Sequence, residues 1–130
     1  MPTNVFGANL TNKGGTGPVA QVYTAAAIGQ NAVLTAPAIA GGVCRVDTSS
    51  GDSSNATDTA ANIIAALSLN QGDSFQFTCV PNNASNTITV TAGAGVTLAA
   101  GQLNATVAGT SISYSGVVTG AAAITLTRIA

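Results

Sequence analysis

The chain has 130 residues, a length that fits one domain, and only 5% of them are charged, against roughly 25% in an average soluble domain. All seven charges are Lys13, Arg45, Asp47, Asp52, Asp58, Asp73 and Arg128, and His, Glu and Trp do not occur. This excludes a Ser-His-Asp, Cys-His or paired-Glu catalytic set within one chain, and two Cys without His are too few for a zinc site. A net charge of −1 lacks the clustered Lys and Arg that nucleic-acid binding requires.

No run approaches the roughly 20 apolar residues of a membrane span, and Met1–Leu10 lacks the basic-then-apolar layout of a secretory signal. The expectation is a non-enzymatic protein, made and assembled in the cytoplasm, with no cofactor, metal, nucleic-acid or membrane partner. A neutral surface rich in Ser, Thr and Asn offers little repulsion between copies, so self-association is the natural inference.

In chain order, residues 1–18 read as an extended arm. Asn4, Gly7, Asn9, Asn12, Gly14, Gly15 and Gly17 disfavour helix, and Val5, Phe6 and Leu10, with Lys13 beside them, are the candidates for docking it on a neighbour. Gly14-Gly15-Thr16-Gly17 lacks the lysine and following helix of a phosphate loop and reads as linker.

Residues 19–130 read as one β-rich domain, an antiparallel sandwich or barrel of short strands. The predicted strands are 19–25, 31–36, 42–48, 74–80, 87–91, 96–99, 104–108, 112–118 and 123–129, each bounded by Gly, Pro, Asn or Ser. In Thr87-Ile88-Thr89-Val90-Thr91 the alternation turns Ile88 and Val90 inward, and the glycine-bearing stretch before Val96 fits a hairpin.

One segment departs from this period. Ala60, Ile63, Ile64 and Leu67 fall at i, i+3, i+4 and i+7, predicting a short helix at about 58–67 with Thr57 or Asp58 at its N-terminus.

Asp47, Ser49, Asp52, Ser53, Asn55 and Asp58 gather oxygen ligands at a spacing that resembles a calcium loop. Asp52 stands where such a loop needs glycine and Asp58 where it needs a bidentate Glu, so a solvated turn before the helix is the preferred account. Cys44 and Cys79 lie in apolar strands and read as buried thiols; a disulfide would require the two strands to be neighbours. The triplets at Asn9, Asn55, Asn83 and Asn104 imply no glycosylation without a signal peptide.

The stretch Asn55-Ala56-Thr57-Asp58-Thr59-Ala60-Ala61-Asn62-Ile63-Ile64-Ala65-Ala66-Leu67, followed by Gly72–Thr78, Asn86–Thr91 and Gly95–Leu98, resembles small virion proteins of tailed bacteriophages. These are capsid decoration (cement) proteins and the bases of head or tail fibres. The resemblance covers about residues 55–100 and implies a β-rich subunit, often a homotrimer, that sits on the major capsid protein at the outer surface of the virion.

Two other functions compete. A fibre or spike module would bind host glycan or receptor, with Tyr23 and Tyr114 as the aromatic candidates. Ice binding would need a flat, repeated threonine array; Thr87, Thr89, Thr91, Thr125 and Thr127 are better explained as solvent-facing strand residues.

Overall fold

A computed structural model describes residues 23–99 and 104–130. The 1–18 arm, with Val5, Phe6, Leu10 and Lys13, lies outside the described residues. The elements run β1 (Thr24–Ile28), α1 (Ala36–Gly41), β2 (Gly42–Val46), β3 (Ser53–Ala56), α2 (Ala60–Leu67), β4 (Ser74–Pro81), β5 (Ile88–Thr91), β6 (Val96–Leu98), β7 (Ile112–Gly120) and β8 (Ala123–Arg128).

The chain is mostly β, as expected. A six-stranded sheet has the order β1-β2-β4-β7-β8-β6, and β3 and β5 form a second, two-stranded sheet. The pairing is mixed where a wholly antiparallel arrangement was expected: β1-β2, β2-β4, β6-β8 and β3-β5 are parallel, and only β4-β7 and β7-β8 are antiparallel. Crossover segments are the reason. Helix α1 between β1 and β2, and β3 with α2 between β2 and β4, return the chain to the end from which the earlier strand started, which only a parallel neighbour can use.

The strand expected at 31–36 shrinks to a single bridge, Leu34 to Thr57, and helix α1 begins at Ala36. Thr35 caps it by accepting from the Ala38 N–H at 3.3 Å, Pro37 sits in its first turn, and Gly42 ends it with φ +88°. A side chain at Gly42 would meet that strained φ and the Tyr23 ring, which comes within 2.3 Å of where a Cβ would lie.

Helix α2 starts two residues later than expected, with Thr59 as its cap, accepting from the Asn62 N–H at 3.1 Å. Ala60, Ile63 and Leu67 are buried and Ile64 is half-buried, the face that the spacing predicts.

The expected β5–β6 hairpin does not form. Between those strands the chain leaves the small sheet and crosses the N-terminus of α2. The Gly93 N–H donates to Thr57 Oγ1 at 2.9 Å, and the Ala60 N–H donates to the Ala94 carbonyl at 2.9 Å. A Cβ on Gly93 would lie 2.3 Å from the Thr57 carbonyl oxygen, so glycine permits the crossing. The chain then joins the large sheet beside β8.

One face of the large sheet carries the core: Cys44 and Val46 on β2; Phe75, Phe77 and Cys79 on β4; Ile112, Tyr114 and Val118 on β7; Ile124 and Leu126 on β8. Phe77 stacks on Tyr114 at 5.5 Å and on Phe75 at 6.3 Å. Gly116 leaves room for the Phe75 ring, whose nearest atom is 2.4 Å from a Cβ position there. Helix α1 packs on β1, β2 and β4, and α2 packs on α1 and β8.

Strand β3 stands where the sequence predicts a solvated turn. Its inward residues Ser53 and Asn55 are buried, yet fully engaged: Ser53 Oγ donates to Asn55 Oδ1 at 2.7 Å, and Asn55 Nδ2 donates to the Ala32 carbonyl at 2.7 Å. Asn31 completes the join, its N–H donating to Ser53 Oγ and its Oδ1 accepting from the Ser54 N–H, both at 2.9 Å. The polar strand thereby substitutes specific bonds to the β1–α1 connection for apolar burial.

Candidate interaction surface

Strand alternation sends every second side chain to the face of the large sheet opposite the core. The register builds rows there: Ala25-Val43-Thr78-Ser113, Ala27-Arg45-Val80, Gln76-Ser115-Thr127 and Ser74-Val117-Thr125-Thr97. Of the residues in these rows only Arg45 is charged. Thr78 and Ser113 share a hydrogen bond between their hydroxyls at 2.8 Å, which uses donor capacity within the surface. Among the described elements, both helices and the small sheet lie on the other side, so this face is uncovered. It is broad, carries the single charge of Arg45 and is made mostly of short side chains.

Two depressions border it. One, of about 160 Å3, is lined by Tyr23, Gly42, Val43, Gln76, Phe77 and Thr78. The other, of about 360 Å3, opens at the C-terminal ends of the parallel strands β1, β2 and β4 and is lined by Ala27, Ile28, Gly29, Arg45, Asp47 and Asn82. Crevices at such strand ends are where open sheets commonly hold ligands. Asp47 Oδ1 accepts from the Ser49 hydroxyl at 2.6 Å, from the Ser49 N–H at 2.9 Å and from Asn82 Nδ2 at 3.2 Å. These bonds hold its carboxyl below the usual range, the Ser49 hydroxyl contributing most.

The oxygen-rich loop of the sequence divides among separate tasks. Asp47 holds its own turn. Asp52 Oδ1 accepts from the Thr87 N–H at 2.8 Å, tying the start of β5 to β3. Asp58 joins the two helices: its Oδ2 accepts from the Ala36 N–H at 2.8 Å, and its Oδ1 accepts from the Thr59 N–H and Asn62 Nδ2, both at 2.8 Å. The Asn62 bond leads in drawing the Asp58 pKa below the ordinary value, against a smaller effect of burial. No group of three or more His, Cys, Asp or Glu suited to a metal occurs among the described residues.

The two tyrosines part company. Tyr114 is fully buried, and burial pushes its hydroxyl up to about 12, with no hydrogen-bond partner for its oxygen among the described residues. Tyr23 is 53% exposed and stands at the rim of the smaller depression. Thr89 and Thr91 lie in the small sheet and Thr125 and Thr127 in the large one, so they form no single array. Asn55, within one of the glycosylation triplets, is buried.

Sequence reasoning missed the open face because pairing, not alternation alone, decides which outward residues stand side by side. Comparison of the chain with family models, with curated proteins and with solved structures finds no match in any of the three.

Proposed function

We propose that this chain is a structural virion subunit that decorates and stabilises a bacteriophage capsid, packing as an oligomer on the lattice of the major capsid protein at the outer surface after assembly in the host cytoplasm. The observation that carries the reading is the uncovered, nearly chargeless face of the large sheet. A surface of backbone-regular rows with short side chains loses little side-chain entropy on docking and has a single charge to desolvate.

Magnitude refines the proposal. A six-stranded face of this strand length spans roughly 570 Å2 in projection, short of the ~800 Å2 per partner that a stable interface buries. A second contact region is therefore required, and residues 1–18, with Val5, Phe6, Leu10 and Lys13, supply the candidate docking groups.

The deciding experiment is the copy number of this protein relative to the major shell protein in purified particles of its source, with labelling to locate it. A fixed, high ratio over the whole shell supports decoration. A few copies at a vertex or fibre overturn it. They favour instead a host-contact module, for which the Arg45-Asp47-Asn82 depression offers charged and amide groups to a polar ligand such as a glycan.

A further inference from the structure

Cys44 and Cys79 are both fully buried and stand directly opposite one another across the parallel β2–β4 ladder, on the same face. Neighbouring strands run about 4.8 Å apart, inside the 4.4–6.8 Å Cα separation that a disulfide spans. The connection between them carries β3 and α2, so a bond would tie together two strands that the chain reaches by a long excursion.

From this juxtaposition we propose that Cys44 and Cys79 form an oxidation site, a dithiol that closes to an intrachain disulfide and clamps β2 to β4. Made in a reducing compartment the chain carries two thiols; equilibrated with an oxidising medium it carries the bond. In the step itself two S–H bonds break and one S–S bond forms. The two electrons and two protons pass to an oxidant of the disulfide class, such as oxidised glutathione, which leaves as two thiols.

The clamp closes the loop from Cys44 to Cys79 and so restricts the unfolded chain, raising stability without altering the uncovered face. Both thiols are fully buried, out of reach of an external disulfide in the folded chain. The native protein therefore oxidises slowly, through transient opening, and the refolding chain oxidises readily. The inference is independent of the virion role.

The test refolds the full reduced chain from denaturant in a buffer of reduced and oxidised glutathione, a route on which access to the thiols does not limit the outcome. Expected is an intact mass about 2 Da lower in more than about nine-tenths of the folded monomer, with no uptake of a thiol reagent after denaturation. The oxidised protein should melt several degrees above the dithiothreitol-treated one, and Cys79→Ala should abolish that difference.

Free thiols, glutathione adducts or only interchain bonds at equilibrium would overturn the proposal. So would a disulfide-bonded chain that melts below the reduced one. The mass measurement on the unaltered chain decides the matter even if the variant fails to fold.

Discussion

The two faces of the large sheet are written by the same strands and obey opposite rules. Along β7 the core side presents Ile112, Tyr114, Gly116 and Val118, each fitted to a particular neighbour, whereas the other side presents Ser113, Ser115, Val117 and Thr119, which meet no second layer among the described elements. On the covered side a residue's size is dictated by its partner: Gly116 is small because Phe75 lies across it. On the open side size and charge are restricted instead by what the surface must not become, namely bulky or repulsive. One strand thus carries a packing constraint on one side and, on the function proposed above, a docking constraint on the other.

The largest expected effect breaks the covered side. Phe77→Ala removes a ring stacked between Phe75 and Tyr114 and should cost about 3–5 kcal/mol in urea unfolding. A loss below about 1 kcal/mol would mean that the core is not built around this stack.

Next comes the clasp that holds the covering layer together. Asp58→Ala strips acceptors from the first residues of both helices and should cost about 2 kcal/mol. Because the folded pKa of Asp58 is lowered, the stability it contributes is present above the ordinary carboxylate pKa of about 4 and is lost as pH falls through the folded value. The unaltered chain should therefore lose stability from about pH 4 downward more steeply than the variant. Parallel acid profiles would remove Asp58 from the account.

A smaller change tests the imperfection of the covered side. Tyr114→Phe deletes a buried hydroxyl that has no partner among the described residues and should leave stability unchanged or raise it by about 1 kcal/mol. A loss would show that the hydroxyl is bonded in solution.

The smallest effect on stability belongs to the open side. Val117→Asp, at a position 40% exposed, should alter unfolding by no more than about 0.5 kcal/mol while weakening self-association measured by light scattering. Unaltered association would show that copies meet elsewhere.

Much of this was legible in residue order, and the failures have identifiable physical causes. Alternation located β4, β5, β7 and β8 because an apolar-polar period of two is a local property of a half-buried strand. Helix α1 was legible but overlooked: Thr35, Pro37 and the Gly41-Gly42 pair are a start and a stop signal, masked by the apolar run between them. Strand β3 carried no such signal. Ser53 and Asn55 resemble loop residues, and only bonds to backbone more than twenty residues away make their burial favourable.

By itself the sequence determined what chemistry is unavailable, where most strands lie and which side of α2 faces inward, since residue inventory and period depend on near neighbours alone. Tertiary structure decided that β5 and β6 part into different sheets, that the large sheet is mixed, that Asp58 serves two helices, and that Cys44 faces Cys79. Those outcomes depend on which distant segments share backbone hydrogen bonds, and a strand's own side chains specify the face it buries but not the neighbour it pairs with.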